Sequence, residues 1–116
     1  MRRLVEVIVD LSGALPELQE AVAVAEYRAS RPGAGAEERT AAEESARRLR
    51  EGELALAAAL EGLAGLGIAL KDPAAGLVDF YSYRDGQLVE LCWKLGEPAV
   101  ENWHRIGEGF AGRKPL

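Results

Sequence analysis

The sequence predicts an α+β fold, mainly α: a long antiparallel helical hairpin, then a small antiparallel β-sheet and a short C-terminal helix. Three observations carry this. Leu4, Ile8, Leu11, Leu15, Leu18, Val22 and Ala25 recur in alternating steps of four and three, the a/d spacing of a helix packed in a bundle or coiled coil. After Gly67 the apolar period shortens to two, as in strands. An Asp85-Gly86 step then sits between two such runs, where a tight hairpin turn belongs.

The first helix is expected over residues 2–29. Val5, Val7, Ile8 and Val9 are β-branched and would suit a strand, but the three-four spacing continues through Ala25 and decides for helix. Pro16 removes one backbone donor and is expected to bend the helix near Ser12 or Gly13. Pro32, Gly33 and Gly35 form a loop, and Glu37 and Glu38 suit the first turn of a second helix. That helix runs to about Gly65 on Ala42, Ala46, Leu49, Leu56, Leu60 and Leu63, interrupted by Glu53. Gly52 and Gly62 each lower its intrinsic stability by roughly 1 kcal/mol relative to Ala, and let a partner helix approach. The charge runs read as a solvated face with pairs such as Glu43 to Arg47 and Glu44 to Arg48.

A helix of this length reaches about 40 Å at 1.5 Å per residue. Two such helices cannot bury two leucine stripes between themselves. Either the C-terminal segment or a second copy of the chain must cover the far side, and the second copy is the expected cover, giving a homodimeric four-helix bundle through the hairpin.

"GIAL" reads as a short strand and "KDPAAG" as a turn. The strands of the hairpin are expected at 77–83 and 88–95. A two-residue turn pairs Arg84 with Gln87, Phe80 with Leu91 and Val78 with Trp93. One face is then Val78, Phe80, Val89, Leu91, Trp93 and Leu95. The other pairs Tyr83 with Leu88, Tyr81 with Glu90, Asp79 with Cys92 and Leu77 with Lys94. A three-residue turn would mix Glu90 and Cys92 into the apolar face, so the clean segregation selects the shorter turn. Beyond it, Pro98 suits the first turn of a short helix and Gly107 its cap, with Ala99, Trp103 and Ile106 as its apolar side. An irregular tail anchored by Phe110 follows.

Length points to one domain over 1–116, with the hairpin in 1–66 and the sheet, short helix and tail in 67–116. The net charge of -5 argues against a nucleic-acid partner, whose phosphates require a basic surface. No apolar run approaches a membrane span. The single cysteine excludes an internal disulfide, and a cytoplasmic protein is expected. The Ala, Gly, Leu, Glu and Arg bias fits a GC-rich bacterial genome.

The tail also resembles that of a small bacterial family, a domain of unknown function. Its members combine a charged helical hairpin with "GLVDF", "LCW" followed by Lys or Arg, "GE", "WH" and "GFAGR". These stand here at Gly76–Phe80, Leu91–Lys94, Gly96–Glu97, Trp103–His104 and Gly109–Arg113. The resemblance implies a shared fold and no established activity.

Several candidate residues emerge. Asp79, Tyr81, Cys92, Lys94, His104 and Arg113 are the expected ligand-binding set, for a small ligand or peptide, with no catalytic residue and no cofactor assigned. The alternative is a metal site of Asp79, Cys92 and His104, because thiolate with imidazole favours zinc. A nucleophilic Cys92 receives opposing influences, Lys94 or His104 lowering its pKa and Asp79 raising it. The "GEGFAGRKP" stretch lacks the Gly-Lys-Ser/Thr ending of a phosphate loop. A non-enzymatic, homodimeric interaction or ligand-binding protein is therefore expected first. A small enzyme or metal-binding protein using Cys92, His104 and Asp79 is the alternative.

Overall fold

The three-four apolar spacing produces one helix, α1 (Arg2–Ser30), whose assignment is unbroken across Pro16. The computed structural model describes residues 1–116. A five-residue loop leads to α2 (Ala36–Gly65). The Glu38 carboxylate accepts the Gly35 N–H at 2.9 Å, which ties down an otherwise unsatisfied donor at the helix start. A Cβ at Gly62 would lie 3.1 Å from Leu4 Cδ1, and one at Gly52 3.3 Å from Leu18 Cδ1. The small residues thus set the close approach of the two helices. On the outer face Arg48 pairs with Glu44, whereas Arg47 pairs with Glu44 and Glu51 rather than Glu43. No helix is long and apolar enough to cross a membrane.

Five strands follow: β1 (Ile68–Asp72), β2 (Leu77–Arg84), β3 (Gln87–Lys94), β4 (Asn102–His104) and β5 (Lys114–Pro115). They form one sheet in the order β1-β2-β3-β4-β5, every neighbouring pair antiparallel. Asp85 and Gly86 both have positive φ, 51° and 78°, the geometry of a two-residue turn matched to strand twist. The register is accordingly the expected one, with Val78 opposite Trp93 and Asp79 opposite Cys92.

Two features differ from the sequence-based expectation. The sheet is larger, and the short C-terminal helix does not form. Its residues supply β4, pairing Glu90 with His104, Leu91 with Trp103 and Cys92 with Asn102. The outer edge of β3 offers unpaired backbone groups, and Val100, Asn102, Trp103 and His104 are weak helix formers. Strand pairing therefore wins over the local start and stop signals. The one short helical element is a 3-10 turn at Phe110–Gly112.

The core lies where the helices meet the sheet. Val5 and Ile8 of α1 and Ala59 and Leu63 of α2 close over Val78 and Trp93. The Trp93 indole N–H donates to the Glu97 carbonyl at 3.2 Å, so the ring is buried without stranding its polar atom. Gly76 is required here. Its φ is +70°, and a Cβ would stand 2.7 Å from Leu95 Cβ and 3.0 Å from Val5 Cγ1. Away from this end the hairpin is thinly packed: between Val9 and Ala58 only Ala25 is buried. The molecule measures 71 × 24 × 23 Å.

Urea unfolding checks this packing. Trp93→Ala is expected to lower stability by about 3–5 kcal/mol. Gly76→Ala is expected to lower it by about 2 kcal/mol, through the clash and its left-handed backbone. Leu54→Ala, at an exposed position, should change it by less than about 0.5 kcal/mol.

Candidate metal centre

The register that sends Trp93 to the helices turns Asp79 and Cys92 to the opposite face as cross-strand neighbours. β4 then brings His104 to that face, opposite Glu90. Leu77 of β2 and Gly107, Gly109 and Phe110 of the tail wall a cleft of about 220 Å³ with Lys71, Asp79 and Glu90. The result is a buried polar layer: Asp79 is 3% exposed, Glu90 9%, and Cys92 and His104 0%. Polar groups so placed need partners.

His104 has a partner on one side only. Its Nδ1 lies 2.9 Å from the Arg105 carbonyl, so that nitrogen carries the hydrogen and donates it. Glu90 Oε2 lies 3.5 Å from the same nitrogen. On the other side, Nε2 stands 3.2 Å from Asp79 Oδ1, yet neither atom has an aligned hydrogen-bond partner. The separation is that of an ionic contact, while the angles are not those of a hydrogen bond. In the neutral ring, two buried acceptor atoms lie in contact with neither satisfied. A proton on the imidazole, which the neighbouring carboxylates favour, or a bound cation would compensate the Asp79 charge.

Cys92 completes the group. The ligand atoms of Asp79, Cys92 and His104 all lie within 4.8 Å of one another. Tetrahedral zinc, with bonds near 2.0–2.3 Å, sets its ligand atoms roughly 3.3–3.8 Å apart. The Nε2 to Oδ1 separation of 3.2 Å lies just below such an edge, and a pair at the 4.8 Å limit would close by roughly 1 Å.

Burial pushes the Cys92 thiol up to about 12, and the adjacent Asp79 carboxylate adds to the rise. Without a cation the thiol is protonated at neutral pH and is a poor nucleophile. Burial works against a charged His104, but the Arg105 carbonyl, Asp79 and Glu90 together outweigh it and raise its pKa above the ordinary value.

The remaining expected residues sit elsewhere. Arg113 pairs with Glu97 and lies over the Phe110 ring, 4.6 Å from its centre. That guanidinium holds the Glu97 carboxyl below its usual range. Glu97 also accepts the Lys94 N–H at 2.7 Å. Lys94 is exposed, its ammonium 5.7 Å from the Phe110 ring centre. Tyr81 is 66% exposed, at the rim of a smaller cleft shared with Asp79 and Glu90. Asp79, Cys92 and His104 therefore converge, Arg113 flanks them, and Lys94 and Tyr81 do not join them.

Sequence reasoning placed Glu90 on the Cys92 face, as found, but missed Lys71 and Glu97 as neighbours of the cluster. The link from Glu90 to His104 becomes visible only once His104 is placed on a strand. Glu97 and Arg113 are 16 residues apart and meet through the path of the tail, which no local spacing encodes. The largest concavity, about 670 Å³, lies between the far ends of the helices, lined by residues such as Glu17, Glu20, Glu37 and Glu38. It is open and acidic and contains none of this chemistry.

Among known proteins, the model of a family described as "Uncharacterized conserved protein (DUF2203)" matches residues 1–116. No curated protein matches, and no solved structure matches.

Alkylation tests the state of the thiol. In chelator-treated, folded protein at pH 8, Cys92 is expected to react with iodoacetamide at least about 100-fold more slowly than free cysteine. Acid titration tests the flanking pair. The stability contributed by Glu97 is present above the ordinary carboxylate value of 4.5 and is lost as pH falls through its lower folded value. Arg113→Gln should flatten that limb of the stability profile.

Proposed function

The chain belongs to the uncharacterised conserved family DUF2203, and from that premise we propose that it is a metal-binding protein. Asp79, Cys92 and His104 hold one thiophilic divalent cation, with zinc the best match. The observation that carries this reading is the buried contact of His104 Nε2 with Asp79 Oδ1, 3.2 Å apart and both without hydrogen-bond partners, beside the Cys92 thiol. A cation bound by both atoms satisfies them, and a neighbouring thiol supplies a soft ligand. The Nδ1–H donation to the Arg105 carbonyl is the outer support that fixes a ligating imidazole. The reading is of a binding protein: the thiol is protonated in the cation-free state and is occupied as a ligand in the loaded one. It assigns the chain to the cytoplasm, where a free thiol such as Cys92 stays reduced.

A homodimer through the hairpin is the second element of the proposal. Its support is the incomplete burial of the stripes. Leu11, Leu15, Leu18 and Val22 of α1 and Leu49 and Leu56 of α2 remain half-buried, and Leu54 and Leu60 are exposed. A second hairpin packed by two-fold symmetry covers them.

Elemental analysis of protein purified without chelator is expected to give one zinc per chain. Cys92→Ser and His104→Ala should retain less than about a tenth of it, and Tyr81→Phe all of it. Wild-type protein that carries no zinc and takes none up on dialysis defeats the proposal. Binding displaces the thiol proton, so zinc affinity should rise at least about tenfold per pH unit near neutrality. Light scattering on a sizing column should give twice the 12.5 kDa chain mass. Leu15→Ala should weaken the dimer, and a monomer at about 10 μM removes this element.

A further inference from the structure

We infer that the bound cation keeps one coordination position open, and that a small monocarboxylate reaches it through the cleft beside Lys71. The inference rests on the metal-binding reading above and adds the ligand class.

The ligand count points to an open position. Glu90 is the fourth potential donor in the buried layer, but its carboxylate lies against His104 Nδ1, while Asp79 lies against Nε2. It is accordingly outside the group whose ligand atoms converge. Structural zinc sites close with four protein ligands, and sites with three leave the fourth place to water or an incoming molecule. Access agrees with this. Asp79 lines both the 220 Å³ cleft and a smaller one of about 40 Å³, so the cation-holding carboxylate borders space that an outside molecule can enter.

The walls select the ligand. Lys71 lines both clefts, is exposed on β1, and forms no ion pair, in contrast to Lys114, which pairs with Glu108. Its ammonium is free to attract an anion. Glu90 stands in the same wall, so a doubly charged anion meets a like charge there and a single carboxylate is favoured. A cation held by one thiolate, one carboxylate and one neutral imidazole has no net charge, and Lys71 offsets the one negative charge that enters. Leu77 and Phe110 supply an apolar wall and Gly107 and Gly109 leave room beside it. The volume is below the roughly 300–1,000 Å³ of drug-sized pockets, which suits a short-chain acid.

Cobalt(II), which takes zinc sites and absorbs visible light, reports both layers of the argument. Cobalt-loaded full-length protein is titrated with sodium acetate at constant ionic strength, with inorganic phosphate as the comparison. The expected result is a thiolate-to-cobalt charge-transfer band together with visible bands that shift saturably with acetate and less with phosphate. Lys71→Gln, at a surface position, should weaken acetate at least threefold at unchanged cobalt content. A charge-transfer band with visible bands indifferent to acetate overturns the open position and leaves the metal site standing. Phosphate binding tighter than acetate, or an unaffected Lys71→Gln, overturns the ligand class. Absence of the charge-transfer band removes the metal site and this inference together.

Discussion

The pairing of β2 with β3 through the Asp85–Gly86 turn governs everything chemical in this molecule. Side chains alternate between the two faces of a sheet, so a slip of one residue exchanges those faces wholesale. With Val78 opposite Trp93 and Asp79 opposite Cys92, the sheet has two unlike sides. One packs on the helices and supplies the hydrophobic stabilisation. The other is roofed by the tail and carries buried acids, an imidazole and a thiol. Such a layer opposes folding unless its charges are compensated, and its persistence is the strongest physical reason to look for a bound partner there.

The stretch Leu91 to Glu97 joins the layers. Trp93 and Leu95 join the core against the helices, while Cys92 enters the polar layer. The Glu97 N–H donates to the Lys94 carbonyl at 3.0 Å, and the Glu97 side chain returns to the Lys94 N–H. Arg113 then fastens the tail to Glu97. From the other end of the chain, Arg2 donates to the Glu97 and Pro98 carbonyls. Seven residues thus tie α1, the sheet and the tail to one turn. This is the structural reason for an otherwise odd concentration of Cys, Trp, Lys and Glu.

What was legible in the sequence was whatever short-range physics determines. The helices follow from apolar spacing, and the strand register follows from the Asp-Gly step and the segregation of faces. Asp79 beside Cys92 comes from the same register. β4 was not legible, because Pro98, Gly107 and the Ala99, Trp103, Ile106 spacing all speak for a helix. The competing term, the unpaired edge of β3, is distant in sequence. His104 could therefore be named as a candidate but not positioned, and Glu90 could not be linked to it. The burial of the polar face was hidden for a similar reason, since its roof is a glycine-rich tail without periodicity.

The sheet is a pure meander, each strand lying beside its successor, and the two helices are likewise consecutive. No crossover connection has to be threaded. Chains dominated by such local closures cross low entropic barriers and fold quickly, with a tight hairpin forming in roughly 1–10 μs. The distant closure is that of α1 onto the sheet, through Val5 and Ile8 on Val78 and Trp93 and through Arg2 on the Glu97 and Pro98 carbonyls. His104 pairs with β3 alone, so the cluster cannot be complete until the β2–β3 register that specifies it is in place.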